Sequence, residues 1–336
     1  MSLMMSELFE ANRVVNDAVA NCSPVAKQIA CAVKEKGLKR VVLAGRGSSL
    51  HAGIAFKFFL ESKTPYILSF EYPSMVTLFG AERDLSDTLY VVVSQSGAGP
   101  DTLAFAKTAK SQGALTVACT NFVDSVLAKE CHYTLPISAG EEKAVAATKT
   151  LTGEIVALQV LADALAGVDT HYSTSIDNLL SYDVPEFSKE LLQASQVVCL
   201  SRGMTEAVAK ESGLKLTETC YLFAYASSTN EFQHGPKALI RDGLPVLLFA
   251  PDGRNRDNYV SCAKDLASKG AHLVSFTDIP EVKQVSKMVV DMPTLPENEQ
   301  TVCYLVAMQK FVATYCEARG LDPDNPRNLN KVTITK

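Results

Sequence analysis

A small polar turn between an apolar run and a helical pattern is the first stretch of this sequence that could hold a ligand. Val91–Val93 predict the end of a buried strand, Ser94–Gly99 form the turn, and Pro100 occupies the favoured first position of a helix. The first N–H groups of such a helix lack intrahelical partners and lie at its positive end, so they favour a phosphate. The pattern is equally typical of an ordinary βα turn, and neither common glycine-rich nucleotide motif is present.

A row of charged residues on a predicted helix, 204–219, is the second candidate. Glu211, Lys215 and Glu218 have i, i+4, i+7 spacing, which places them on one helix face. A carboxylate whose pKa is set by burial and by neighbouring charges can move a proton to and from carbon. The same spacing is typical of a solvated salt-bridge ladder, although the flanking Leu214 and Leu216 favour burial.

His234 is the third candidate, within the polar stretch 227–236 that is predicted to be a loop. Histidine changes charge near neutral pH and can act as a general acid or base. Most loop histidines have no catalytic role, and this alternative stays open.

Alternating strands and helices must position these residues. The predicted strands are 39–44, 65–72, 88–93, 114–119, 132–137, 194–200, 221–225, 244–249 and 271–276. The other predicted helices are 7–36, broken near Pro24, 51–62, 144–165, 256–268 and 299–317. This alternation predicts βαβ units and a parallel sheet.

The two halves of the chain repeat each other. V-V-L-A-G-R-G, ending at Gly47, corresponds to V-V-C-L-S-R-G, ending at Gly203, and nearly the same offset relates two further landmarks. A duplicated domain follows, with a helical segment 1–36, a first domain 37–183 and a second domain 184–336. The second copy lacks the serine-rich turn and is not expected to bind phosphate in that way. The proline-rich tail 322–332 is expected to pack against the protein.

Composition excludes several classes of function. The 336 residues carry a net charge of −5 without a basic run, so nucleic acid is not an expected partner. No apolar run is long enough to span a membrane, and no secretory signal opens the sequence. The nine cysteines lack C-x-x-C spacing and predict free thiols in a reducing cytoplasm, with Cys119, Cys199 and Cys316 in the core. Neither a metal site nor a cofactor is expected.

Six motifs, in one order, carry a family resemblance. They are G-R-G-S-S-L-H-A-G (45–53), S-Q-S-G-x-x-x-D-T (94–102), A-G-E-E-K-A-V-A-A-T-K (139–149), E-S-G-L-K-L-T-E (211–218), E-F-Q-H-G-P (231–236) and P-R-N-L-N-K (326–331). From about residue 20 to its end, the chain resembles the paired sugar-isomerase (SIS) phosphosugar-binding domains of the isomerase half of glucosamine-6-phosphate synthase. The resemblance implies an α/β fold of two tandem SIS domains, each a five-stranded parallel sheet sandwiched by helices (flavodoxin-like). It also implies a homodimer with active sites near the subunit interface.

The resemblance also implies residue roles. Ser94, Gln95 and Ser96 would hold a sugar phosphate with Ser49 beside them. The synthase has threonine where this chain has Gly99, and Ser48 or Thr102 could replace that hydroxyl.

Other motif positions imply contacts to the sugar and its chemistry. Val145 would contact the sugar, as would Ala147 through its backbone. Glu218 would move a proton between C1 and C2, with Lys215 and Glu211 setting its pKa and holding hydroxyls. His234 of the neighbouring subunit would open and close the ring, and Lys331 would form a Schiff base with the open ketose.

The synthase begins with a glutaminase domain that this sequence lacks, so the resemblance implies the degradative reaction. Glucosamine 6-phosphate and water would give fructose 6-phosphate and ammonia. A deaminase or deglycase of another 6-phospho-amino sugar, such as fructosamine 6-phosphate or galactosamine 6-phosphate, shares the same motifs. A non-catalytic phosphosugar sensor is a further alternative, although the acid–base residues are present and no helix-turn-helix segment precedes the first domain.

Overall fold

The computed structural model describes residues 1–331; residues 332–336, including Val332 at the end of the predicted tail, lie outside the described residues. The chain forms two compact units. The first unit contains Glu10–Glu142, Lys149–Tyr172, Asn330 and Lys331. The second unit contains Met1–Phe9, Lys143–Thr148 and Ser173–Leu329. The second unit therefore includes the first helix, α1 (Leu3–Leu8).

A five-stranded parallel sheet organises the first unit, with the strand order β2-β1-β3-β4-β5. Its strands are β1 (Arg40–Ala44), β2 (Ile67–Phe70), β3 (Thr88–Val93), β4 (Leu115–Thr120) and β5 (Tyr133–Pro136). Its helices are α2 (Ala11–Glu35), α3 (Ser48–Glu61), α4 (Pro73–Thr77), α5 (Pro100–Ser111), α6 (Val126–Glu130) and α7 (Lys149–Leu165). Every residue of β3 and β4 is buried, as expected of a parallel sheet covered on both faces.

The second unit has the same architecture, with the strand order β10-β9-β8-β6-β7. Its strands are β6 (Gln196–Ser201), β7 (Phe223–Ser228), β8 (Pro245–Ala250), β9 (His272–Thr277) and β10 (Met288–Asp291). Its remaining helices are α8 (Ile176–Leu180), α9 (Lys189–Leu192), α10 (Glu206–Cys220), α11 (Thr229–Gln233), α12 (Arg256–Ser268), α13 (Pro280–Val285) and α14 (Glu297–Ala318). Read in reverse, this order matches that of the first sheet strand for strand, which confirms the predicted fold class and repeat.

The predicted break near Pro24 is wrong, because α2 continues through it. Proline removes one helical hydrogen bond and clashes with the preceding turn, at a cost of about 3 kcal/mol. The apolar stripe of α2, which includes Val14, Ala18, Cys22, Ala26 and Ile29, is fully buried and outweighs that cost.

The predicted helix 144–165 begins five residues too early, since α7 starts at Lys149. In the preceding segment, the N–H of Ala144 donates to the Glu7 carboxylate and that of Val145 to the carbonyl of Asp324. These external acceptors replace the bonds of a first helical turn.

The predicted loop 227–236 is also wrong over most of its length. β7 extends through Ser228, and the short helix α11 follows directly. The Ser228 hydroxyl caps α11 by accepting from the N–H of Glu231 at 3.1 Å, so serine here is a helix start and not a loop residue.

The described part of the tail packs against the second unit, as predicted. The Asp324 carboxylate accepts from the N–H groups of Leu3 and Met4, each at 2.7 Å. The Arg327 guanidinium lies 4.0 Å from the ring centroid of Tyr221. The predicted core cysteines Cys119, Cys199 and Cys316 are buried free thiols. Among the described residues, no helix has both the length and the apolar character needed to cross a bilayer.

Candidate active site

A cavity of about 350 Å³ opens at the carboxyl ends of β1 and β3. The chain leaves these neighbouring strands in opposite directions along the sheet, and such switch points are where open α/β sheets bind ligands. Five predicted site residues line this cavity: Ser49, Ser94, Gln95, Ser96 and Thr102. Ser48, the first residue of α3, is not among the described residues that line it.

Two serines of the β3–α5 turn have hydroxyl protons to offer. The Ser94 oxygen accepts from the N–H of Gly97, and the Ser96 oxygen accepts from the N–H of Ala98, each at 3.3 Å. A serine oxygen that accepts from the backbone keeps its own O–H as a donor. Both side chains can therefore donate to an anion in the cavity.

Gly97 gives the turn its tight shape. Its φ is +58°, and a Cβ there would lie 2.3 Å from the Ser125 hydroxyl oxygen. Any other residue would be strained and would collide with Ser125. Glycine thus lets the serine turn lie against the start of α6.

The other cavity hydroxyls are committed as donors. The Ser49 hydroxyl donates to the buried Glu154 carboxylate at 2.9 Å. The Thr102 hydroxyl donates to the carbonyl oxygen of Gly99 at 2.8 Å. Each hydroxyl has one proton, so Ser49 or Thr102 could donate to a ligand only by giving up the bond described here.

The predicted carboxylate row lies together on α10 in the second unit. Lys215 Nζ is 2.8 Å from Glu211 Oε1 and 3.1 Å from Glu218 Oε2. The side chains of Lys215 and Glu211 are each 1% exposed, whereas that of Glu218 is 24% exposed. The solvated-ladder alternative is therefore wrong, and Glu218 is the member of the row that solvent or a ligand can reach.

The two carboxylates of the row control the protonation of Lys215. Burial lowers the pKa of Lys215, but the Glu211 and Glu218 carboxylates more than offset it and raise that pKa above its ordinary value. Lys215 is therefore a fixed cation between two carboxylates.

Val145 and Ala147 are half-buried, whereas Ala144, Ala146 and Thr148 are buried. This alternation leaves the two predicted sugar-contacting residues on the accessible side of the segment before α7.

His234 is exposed at the end of α11, and its backbone N–H donates to the carbonyl of Glu231. No side-chain hydrogen bond to another described residue holds its ring.

Lys331 lies in the first unit, where its Nζ is 2.6 Å from the Glu142 carboxylate. Burial acts to raise the pKa of Glu142, but Lys331 and Thr150 lower it overall. A Schiff base at Lys331 would have to break this contact.

Two cavity residues escaped the sequence analysis. Arg46 and Asp101 line the cavity and form an ion pair, with Arg46 Nε 2.8 Å from Asp101 Oδ2. Arg46 stands inside the G-R-G motif directly after β1, and its repeat counterpart is Arg202. The presence of an arginine at the same position after the first strand of both repeats could have identified Arg46 as a candidate site residue.

Comparisons with known proteins show the family and the fold. A model of the SIS domain family matches residues 37–164 and 190–316. The isomerizing glutamine–fructose-6-phosphate aminotransferases of Thermococcus kodakarensis and Pyrococcus horikoshii are 32% and 30% identical to this chain over 98% of its length. The chain spans 58% and 57% of those two relatives.

Two solved structures show the same fold. The C-terminal domain of glucosamine-fructose-6-phosphate aminotransferase from Francisella tularensis has a TM-score of 0.83 at 23% identity, covering 97% of this chain and 98% of that one. Glucosamine-6-phosphate deaminase from Thermotoga maritima has a TM-score of 0.77 at 22% identity, covering 99% of this chain and 100% of that one. With both sheets and most of its length matched, the chain belongs to the SIS domain family.

Proposed function

We propose that this protein is an isomerising deaminase of an amino-sugar 6-phosphate, converting glucosamine 6-phosphate and water to fructose 6-phosphate and ammonia. The observation that carries the proposal is the row on α10, in which a buried cation joins a buried carboxylate to Glu218, the one carboxylate of the row that is partly exposed. A general base needs access to its substrate, and Glu218 combines partial exposure with a cation beside it.

The cavity after β1 and β3 would bind the phosphate. The Ser94 and Ser96 hydroxyls supply donors without a basic surface. Phosphate binding is remote from the reacting carbons, and its free energy positions the sugar for proton transfer.

The C2 proton of the aldose becomes acidic only when C1 is an open-chain carbonyl. Ring opening comes first, which we assign to His234 of a neighbouring subunit in a homodimer. Its exposure suits a group that acts outside its own subunit.

Glu218 then removes the C2 proton, and the electron pair of that bond forms the C1–C2 double bond of an enolamine. Lys215 balances the negative charge that develops on O1. Return of the proton to C1, with transfer of a proton from nitrogen to O1, gives a hydroxyl on C1 and an imine at C2. Water adds to this imine, and ammonia leaves to give the ketose.

The names of the relatives given above refer to fructose 6-phosphate, so the proposal includes the reverse conversion of fructose 6-phosphate to the amino sugar. This chain covers a little over half of those proteins, so their full activity is not carried over. Assays should therefore run in both directions.

The direct test is ammonia release from glucosamine 6-phosphate, with galactosamine 6-phosphate and a fructosamine 6-phosphate alongside. We expect Glu218→Gln to lower kcat about 10²- to 10⁴-fold while substrate still binds. Glu297→Gln is the matched control, because it makes the same change in an exposed ion pair with Arg254.

Near-normal turnover by Glu218→Gln would show that the base has been misassigned. Ammonia from only one of the other two sugars would keep the mechanism and correct the substrate. Sugar-phosphate binding without turnover of any of the three would favour the sensor alternative.

A further inference from the structure

We infer that Arg46 is a phosphate-binding residue of the β1–β3 cavity, held in place by Asp101, and that its guanidinium supplies the positive charge of this site. The inference rests on the proposed function only in taking the ligand to be a sugar phosphate. No motif role described above includes Arg46.

The charges of the cavity wall point to this residue. Among the described residues that line the cavity, Arg46 is the one cation and Asp101 the one anion. An unneutralised carboxylate would repel a phosphate, so a cation must be bound beside it. Arg46 Nε lies 2.8 Å from Asp101 Oδ2 and meets this need.

The geometry leaves the outer part of the guanidinium available. Arg46 uses Nε for Asp101, and within residues 1–331 its two Nη groups have no hydrogen-bond partner. The Asp101 side chain is 7% exposed and that of Arg46 is 46% exposed. A buried carboxylate thus orients an accessible fork of N–H donors, which matches phosphate oxygens well.

Further hydrogen bonds hold the backbone of Arg46 and the side chain of Asp101. The Arg46 carbonyl accepts from the N–H of Ser49 at 3.0 Å in the turn that starts α3. Asp101 Oδ1 accepts from the N–H of Thr102 at 2.8 Å in the first turn of α5. The ion pair therefore links the two loops that form the cavity, and little rotamer freedom is left to lose on binding.

Gly99 belongs to the same arrangement. A Cβ at Gly99 would lie 3.0 Å from Asp101 Oδ1 and 3.1 Å from the Thr102 hydroxyl oxygen. Any side chain at position 99 would press on the carboxylate that holds Arg46. The site thus lacks a side-chain donor at position 99 and has an oriented arginine nearby.

Binding measured without turnover tests the inference. The probes are inorganic phosphate and glucitol 6-phosphate, which has no carbonyl group to react, and dissociation constants are measured by calorimetry on the full chain. We expect Arg46→Gln to weaken both about 10- to 100-fold, as for loss of hydrogen bonds to a charged group. The affinity of Arg46→Lys should lie between those of the wild type and Arg46→Gln, because lysine keeps the charge but lacks the forked guanidinium donors.

Arg40→Gln is the matched control. Arg40 lies at the opposite end of β1 and pairs with Asp87, so Arg40→Gln has the same net charge as Arg46→Gln and also loses an arginine–aspartate ion pair. We expect its phosphate affinity to equal that of the wild type. Equal losses in Arg40→Gln and Arg46→Gln would overturn the inference, because net charge alone would explain them.

The double variant Arg46→Gln with Asp101→Asn separates contact from neutralisation. If Arg46 binds the phosphate, the double variant still binds both probes weakly. If Arg46 only neutralises the charge of Asp101, the double variant regains wild-type affinity and the inference fails. If the wild type binds glucitol 6-phosphate through Arg46 but releases no ammonia from any amino-sugar phosphate, the proposed reaction fails and this inference stands. Wild-type protein that binds neither probe would overturn the inference.

Discussion

The carboxyl edges of the two sheets are built from the same elements, yet one is open and the other is filled. In the first unit, Leu103 is the fourth residue of α5, and the cavity lies beside the serine turn. In the second unit, the fourth residue of α12 is Tyr259, which is fully buried. Its hydroxyl donates to the carbonyl of Arg202 at 2.8 Å and accepts from the N–H of Arg202 at 3.1 Å. Tyr259 is larger than Leu103, its counterpart in the first unit, and its hydroxyl holds the loop after β6. The corresponding edge of the first sheet has a cavity.

The paired arginines differ in the same sense. Arg202 Nη1 donates to the Asn230 side chain at 3.0 Å, and Asn258 donates to the same oxygen. Arg46 is held through Nε by a carboxylate. Arg46 therefore lines a cavity, whereas Arg202 is part of a hydrogen-bond network with two neutral side chains.

The helices that follow the first strand of each repeat, α3 and α10, differ in the opposite sense, because here the second unit has the buried charged residues. Lys57 is the tenth residue of α3 and Lys215 the tenth of α10. Lys57 pairs with Glu61 at the surface, with side chains 37% and 30% exposed, whereas the pair of Lys215 with Glu211 is almost inaccessible. The two copies of the repeat thus place a lysine–glutamate pair at the same helix position, and the two pairs differ in burial.

Replacing the two lysines gives the largest expected contrast. Lys215→Met leaves two carboxylates without their cation and should lower the free energy of unfolding by about 3–5 kcal/mol. Lys57→Met removes a surface pair and should cost about 1 kcal/mol or less. Urea unfolding followed by circular dichroism measures both. Equal losses would contradict the claim that burial separates the two helices.

The tyrosine that fills the second edge gives the next contrast. Tyr259→Phe removes the hydroxyl that pairs with the N–H and the carbonyl of Arg202, and should cost about 1–3 kcal/mol of unfolding free energy. Tyr304→Phe is the control, because the buried Tyr304 hydroxyl has no hydrogen-bond partner among the described residues. That variant should be neutral or slightly stabilised, and the comparison fails if both variants lose the same amount.

Much of this frame could be predicted from sequence because it depends on local patterns. Apolar runs, glycine breaks and the repeat offset placed nine of the ten strands within a few residues. The errors arose where distant groups decide local structure. Pro24 stays helical because a buried stripe holds α2, and residues 144–148 are not helical because Glu7 and Asp324 capture their N–H groups.

The candidate site shows the same limit. Spacing predicted that Glu211, Lys215 and Glu218 share a helix face, because that follows from helix geometry alone. Spacing could not decide whether the row was solvated, since burial depends on how α10 packs against its sheet and α14. The Arg46–Asp101 pair joins residues 55 positions apart, so only the fold brings it to the cavity wall.

The helices that close the two units give the last contrast. Near the start of α7, Thr150 donates through its N–H and hydroxyl to the buried Glu142 carboxylate, whereas Pro296, the residue before α14, provides no side-chain cap. The pKa of Glu142 lies below its ordinary value of 4.5. A depressed carboxyl pKa stabilises the fold fully above that ordinary value, and the contribution is lost as pH falls through the folded-state pKa.

The stability gap between wild type and Glu142→Gln should therefore be larger at pH 7 than at pH 4, because only the wild type loses this contribution on acidification. Urea unfolding at the two pH values measures the gap. Glu297→Gln, in the first turn of α14 and in an exposed pair, is the control for the general effect of acid. A difference in unfolding free energy that stays constant with pH would contradict this prediction. It would show that Glu142 stabilises the first unit by packing and hydrogen bonding, without a contribution from its charge.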